Sequence, residues 1–327
     1  MKLTQELLNR ASQSELVAKL QTCSELCLDN TTYEAFVTCP MKGLIERVLR
    51  LKPVKPNAAF IFGEAFHKAL ERYYLGDSIE DSMQAGLQLA IKKDLDDLED
   101  GKRNTFMLEE LLRFYFYEEA CKEKTHVLSI EGIPMVERSF AFKLGTVSLT
   151  IGGQTRQITI TWQGKLDLVC DDAGIWGEDH KTTSVMGERF AQDKFRSSQM
   201  LGYSWAIYNT LKLFDRQDEF RGMRINAVAM RSKGFERRIF QLPYTSMQLL
   251  EWQEETLLTV QNILNELLAT LTLTHEVLPR RVSCVSKYGS CPHFDTCQCS
   301  PIARERTLLS SGAYEADTWT PLANDDD

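Results

Sequence analysis

The residues best able to do chemistry lie in two short runs, Gly164-Lys-Leu-Asp-Leu-Val169 and Ile175-Trp-Gly-Glu-Asp-His-Lys181. Each alternates with the period of a β-strand, and the polar turn Asp171-Asp-Ala-Gly174 separates them. Pairing the two strands brings Asp167 beside Asp179 and Lys181, which stand two apart on one face. Two carboxylates and an ammonium suit metal-assisted phosphodiester hydrolysis. The carboxylates hold a hard divalent cation, and the lysine stabilises charge or helps activate the attacking water. Glu178 has the opposite parity and points away. An acid two residues before a lysine carries no weight by itself: average composition gives about two in a chain of this size. Two are present, Asp100-Gly-Lys102 and Asp179-His-Lys181. The upstream strand with Asp167 and the intervening turn set the second apart.

Several elements must position this set. Thr31-Thr-Tyr-Glu34 reads as a capping box opening a helix through Phe36, Cys39, Pro40 and Ile45. After a loop with Pro53 and Pro56, Phe62-Gly63 opens a second helix. Its apolar stripe is Phe66, Ala69, Leu70 and Tyr73, while His67, Glu71 and Tyr74 share another face. Helical stretches at about 79–98 and 105–121 follow. From about residue 134 the period changes to two, predicting an antiparallel meander from Val136 to Val169 with a hairpin turn at Gly152-Gly153. Glu137 on its first strand reads as a structural residue that pairs with a base, or as support for a second metal. A helix around Ser197–Tyr208 carries Gln199 and Tyr203, followed by a strand pair, Arg224–Arg231 and Phe235–Leu242, and a long helix from about Thr245 to Leu271. The pattern predicts an α/β core with a largely antiparallel sheet. Arg221, Arg224, Arg231, Lys233, Arg237 and Arg238 on the strand pair read equally as a phosphate-tracking surface or a charge-protected edge.

At 327 residues, 43% apolar and 26% charged, the chain can bury an ample core. A net charge of −8 argues against a non-specific nucleic-acid coat protein, yet leaves room for a local basic groove and for metal charge. No run approaches membrane-spanning length, and the N-terminus reads as an amphipathic helix, not a secretory signal. The expected location is cytoplasmic, with no membrane partner. Nine cysteines then imply metal or cluster ligands in preference to disulfides. Cys284, Cys291 and Cys297 cluster beyond the long helix, and Cys39 lies far upstream. Zinc, with His293 as a further ligand, is one reading, although compact zinc sites usually show tighter spacing than Cys284 to Cys291. Cys299 is an alternative to Cys284. Three parts are expected: residues 1–30 as a helix and linker, 31–299 as a single domain, and 300–327 as an acidic, largely disordered tail.

The order His67 in Gly-Glu-Ala-Phe-His-Lys, Gly164-Lys-Leu-Asp167, Asp179-His-Lys181 and Gln199-x-x-x-Tyr203 resembles the RecB-type branch of the PD-(D/E)XK nuclease superfamily. Within that branch the likeness is to iron–sulfur exonucleases such as the AddB nuclease domain and the CRISPR-adaptation nucleases. It spans residues 33 to 299. The resemblance implies a restriction-endonuclease-like α/β core with an added helical part and a C-terminal iron–sulfur loop. It implies Mg²⁺ or Mn²⁺ at His67, Asp167, Asp179 and the carbonyl of His180, with Asp167, Asp179 and Lys181 catalytic. Gln199 and Tyr203 would lie beside the DNA backbone, and Cys39, Cys284, Cys291 and Cys297 would hold a four-iron four-sulfur cluster. The implied activity is metal-dependent DNA hydrolysis, as an exonuclease in recombination, repair or CRISPR adaptation. The chain has no Walker A loop and hence no motor of its own. It is expected to act at ends, on single strands, or with a helicase, recombinase or single-strand-binding protein. The alternative is a catalytically silent DNA-binding or scaffold subunit.

Overall fold

The computed structural model describes residues 2–54, 57–98, 100–120, 125–151, 153–271, 284–286 and 289–317. The chain divides into two compact units. One unit comprises Pro56–Phe140 and Lys165–Leu250; the other comprises Met1–Lys55, Ala141–Gly164 and Glu251–Asp327. No helix among the described residues is long and apolar enough to cross a membrane.

The first unit is built on a mixed sheet. The end of strand Gln154–Asp171 pairs antiparallel with Ile175–Thr183, which runs parallel to Phe220–Arg231, which pairs antiparallel with Gly234–Pro243. The parallel step needs a crossover, and the helices Glu188–Phe195 and Ser198–Lys212 supply it. Helix Ala58–Tyr74 begins four residues before the expected start because the Asn57 side chain accepts the Ala59 N–H. It buries Ile61, Phe62, Ala65, Phe66, Ala69 and Leu70 at helical spacing. Helix Ile79–Lys92 packs closely on it through Gly86, where a Cβ would stand 2.6 Å from the Ala65 carbonyl oxygen. Tyr115, Phe116 and Leu108 complete this core.

In the second unit the expected linker over residues 1–30 is replaced by packed structure. Helices Gln5–Ser12 and Glu15–Thr22, capped by Thr4 and Ser14, bury Leu7, Leu8, Ala11, Val17 and Leu20. Strand Glu25–Leu28 then pairs in parallel with Glu25 opposite Thr159 and Leu28 opposite Trp162. The next helix, Asn30–Thr38, is capped by Asp29 and not by Thr31. It stops at Cys39, whose backbone is extended, and a new turn starts with Pro40. Proline has no N–H and disfavours helical backbone in the residue before it, so the predicted continuous helix cannot form.

The tail also departs from expectation. Residues 301–317 are ordered: helix Pro301–Leu309 buries Leu308, and strand Tyr314–Ala316 pairs antiparallel with Leu51–Pro53. Asp317 accepts from the Arg47 guanidinium, and its carbonyl accepts from Arg50 Nε. A short alternating segment ending in one paired acid outweighs the local polar composition. Residues 318–327 lie outside the described residues.

Candidate active site

The antiparallel ladder between the two central strands ends at the pair Leu168 and Glu178. Beyond it, Asp167 Oδ2 accepts the backbone N–H of His180 at 3.0 Å, so a carboxylate takes the place of the next ladder carbonyl. His67, reaching over from helix Ala58–Tyr74, places Nε2 2.8 Å from the His180 carbonyl oxygen and Nδ1 3.3 Å from Asp167 Oδ2. Lys181 donates to Asp179 Oδ1 at 2.8 Å. The other oxygen, Asp179 Oδ2, is buried with no hydrogen-bond partner among the described residues.

Charge follows from this geometry. Burial would raise the Asp167 carboxyl, but His67 and Lys181 outweigh it and hold the group below its usual range. Burial would discharge Lys181, but Asp179 and Asp167 keep its ammonium above the usual value. For His67, burial wins over the attraction of Asp167 and lowers the imidazole, favouring the neutral ring. A neutral ring has one N–H for two facing oxygens, so one contact sets acceptor against acceptor. A cation beside the ring and Asp167 removes that conflict.

Glu137 joins the group. The ligand atoms of His67, Glu137 and Asp167 all lie within 4.8 Å of one another, and among the described residues no other three such groups do. Its Oε2 accepts from the Lys165 ammonium at 3.0 Å. Burial first, and then Asp167, push its carboxyl up to about 8. Its backbone is left-handed, with φ +48, a conformation that costs roughly 1–3 kcal/mol at a non-glycine residue and is retained where surrounding structure enforces it. The sequence gives only the strand parity for this residue, and the left-handed turn is invisible in it. Gln199 Nε2 donates to the Tyr203 hydroxyl at 3.4 Å, one helical turn apart. Burial, then Asp167 and Asp179, push the Tyr203 phenol well up.

Of the basic run on the last two strands, Arg221, Arg231, Lys233 and Arg238 are exposed and Arg224 and Arg237 half-buried, and five of the six are engaged by neighbouring groups. Arg224 pairs with Asp172 at 2.9 Å and lies over Trp176. Arg237 donates to Asn226, Arg231 and Arg238 both engage Glu236, and Arg221 donates to the carbonyls of Asp218 and Phe220. These contacts fit the charge-protected strand pair better than a phosphate track. In the chance match, Asp100 Oδ1 accepts the N–H groups of Lys102 and Arg103, a local turn contact.

In the other unit, Cys39 and Cys284 lie close enough to act on the thiols of Cys291 and Cys297: burial first, then the other thiols, push Cys297 up to about 11, and Cys291 is raised in the same way. No three of them approach within 4.8 Å among the described residues. Cys299 instead turns its thiol to the Asp295 carbonyl at 3.4 Å. His293 is buried with both nitrogens engaged, Nδ1 by Tyr314 at 2.9 Å and Nε2 by Glu46 at 2.8 Å. It therefore offers no free nitrogen for the zinc reading.

Comparison with known proteins adds the following. The model of the PD-(D/E)XK nuclease superfamily matches residues 30–298. No curated protein matches the chain. Among solved structures, one from Eubacterium rectale, provisionally named an exonuclease, shares 15% identity over 95% of this chain and 99% of its own, with a TM-score of 0.44. The structure of SSO0001 shares 12% identity over 77% of this chain and 84% of its own, with a TM-score of 0.20.

Proposed function

The chain belongs to the PD-(D/E)XK nuclease superfamily, and from that premise we propose that it is a Mg²⁺- or Mn²⁺-dependent deoxyribonuclease acting at ends or on single strands. The observation that carries this reading is the convergence of His67, Glu137 and Asp167 within 4.8 Å, with the orphaned Asp179 Oδ2 on the adjoining strand. Oxygen-rich donor sets with one imidazole suit hard divalent cations. His67, Asp167, Asp179 and the His180 carbonyl would hold the ion, with Glu137 as a further carboxylate. When bound, the cation supplies positive charge to the scissile phosphate and acidifies water. Lys181, kept charged by the two aspartates, stabilises the charge that develops on the phosphate. Gln199 and Tyr203 stand on one helical face where they can steady the DNA backbone.

The four cysteines are the ligands proposed for a four-iron four-sulfur cluster. Four cysteine thiolates are the usual ligand set of such a cluster, and Cys39, Cys284 and Cys291 all act electrostatically on Cys297. The cluster would clip the turn at Cys39 to the loop at Cys291, more than two hundred residues away. The test of the main reading is cleavage of end-labelled single- and double-stranded DNA with Mg²⁺ or Mn²⁺ against EDTA. Shortening from an end that EDTA abolishes is expected; DNA binding with no cation-dependent cleavage defeats the assignment.

A further inference from the structure

Glu178 has no part in the cation site, yet it is 2% exposed, and a buried carboxylate is costly unless it is well partnered. Its partners form a closed network on the face of the sheet opposite Asp179 and Lys181. Asn226, fully buried, donates Nδ2 to Glu178 Oε1 at 2.7 Å and to the Tyr115 hydroxyl at 2.9 Å. The Tyr115 and Tyr74 hydroxyls share a hydrogen bond of 3.1 Å. Arg237 Nε donates to Asn226 Oδ1 at 2.9 Å, and Cys170 directs its thiol to Glu178 Oε2 at 3.9 Å.

His180 plugs into this network. Its Nε2 lies 3.3 Å from Glu178 Oε1, an electrostatic contact without hydrogen-bond geometry, and its ring tilts against Tyr74 with centroids 5.7 Å apart. The backbone of the same residue is the hub of the site on the other side. Its N–H holds Asp167 and its carbonyl meets His67. Small rotations of the His180 backbone therefore move both ligands at once.

We propose that Glu178 and the imidazole of His180 are positioning residues: they anchor the His180 backbone so that Asp167, His67 and the His180 carbonyl converge on one cation. This deepens the nuclease reading and rests on it. Residues that orient metal ligands typically cost about 10–100-fold in metal affinity when lost.

The experiment titrates Mn²⁺ calorimetrically into the full-length protein and, in parallel, measures anisotropy of a labelled oligonucleotide without divalent ions. Glu178→Leu and His180→Ala are expected to weaken Mn²⁺ binding about tenfold or more, with oligonucleotide affinity unchanged. Glu178→Gln keeps the Oε1 acceptor for Asn226 and is expected to stay within about threefold of wild type, since the hydrogen bond survives. Mn²⁺ binding by Glu178→Leu as tight as wild type overturns the proposal. So does an equal loss in Glu178→Gln, which would make charge and not anchoring the cause. Tyr115→Phe covers the case in which Glu178→Leu does not fold. It deletes one hydroxyl and keeps the ring, so weaker Mn²⁺ binding at an unchanged melting temperature supports the anchor, and unchanged binding overturns it. If wild type itself binds no Mn²⁺, the cation-site assignment fails first, and that result is distinct from all of these.

Discussion

Burial would strip the Lys181 ammonium of its proton, yet Asp179 at 2.8 Å and the Asp167 carboxylate hold it charged. Removing that charge leaves the cation ligands in place. Lys181→Ala should therefore lower cleavage by about 100-fold or more, the scale of one lost electrostatic stabiliser, while Mn²⁺ affinity holds. Lys102→Ala should change neither, and equal losses in the two variants would refute the role given to Lys181. Glu137 makes a second prediction. With its carboxyl at about 8, it is largely protonated at pH 7, and a cation ligand must shed that proton. Calorimetry in buffers of different ionisation enthalpy should show proton release on Mn²⁺ binding at pH 7, fading above about pH 9. Without cation, the folded state holds this proton and the unfolded chain does not. That contribution to stability is full below the ordinary carboxyl range and is lost as pH rises through about 8. Glu137→Gln should abolish both effects. Asp167, Asp179 and Lys181 were legible as a group because strand parity is a two-residue rule. The buried anchor at Glu178 was not, because its partners Asn226 and Tyr115 come from distant elements.

Helix Ala58–Tyr74 carries His67, and its position depends on how closely Ile79–Lys92 approaches it. Gly86 permits that approach, since any Cβ would collide with the Ala65 carbonyl oxygen at 2.6 Å. Gly86→Ala should cost about 1–3 kcal/mol through forced separation of the helices. It should also weaken Mn²⁺ binding by moving His67, although residue 86 lies well outside the site. Chemical denaturation and the same Mn²⁺ titration would check both; wild-type values in each would show that the helix pair yields without moving His67. The existence of both helices is plain from their apolar spacing, whereas their ends are not. Asn57 starts its helix four residues early by capping Ala59, and Pro40 breaks a helix that periodicity alone carries through Cys39. One side chain decides each boundary. The parallel pairing of Ile175–Thr183 with Phe220–Arg231 was equally hidden, because alternation fixes which face a residue takes but not the direction of its neighbour.

At the scale of the molecule, the unit that holds the cysteines is assembled from three separated stretches of chain, while composition suggested loose ends at both termini. Tyr314 shows why the tail is part of the fold. It pairs in the strand with Pro53, stacks on His293 and bonds to Thr296, so it bridges two segments around the cysteine loop. Truncation after residue 312 should lower the melting temperature and loosen the Cys291–Cys297 loop to protease; unchanged values would leave strand Tyr314–Ala316 without a structural role. If the cysteines hold the proposed cluster, anaerobically purified protein should be brown with about four irons per chain. Cys39→Ser and Cys291→Ser should bleach it, and Cys299→Ser should not. A colourless wild type with one stoichiometric zinc would decide for the other metal.

The three-part construction of that unit has a consequence for synthesis on the ribosome. Both stretches of the nuclease-site unit have been made by residue 250, but Cys39 must wait for Cys284, Cys291 and Cys297. At about 5–20 residues per second, translation leaves that first thiol without its companions for on the order of tens of seconds. The nascent chain thus passes through a stage in which one unit can close while the other still lacks its last stretch, and with it Cys284, Cys291 and Cys297. If the four cysteines hold the proposed cluster, its iron and sulfide can be loaded only after Cys297 has emerged.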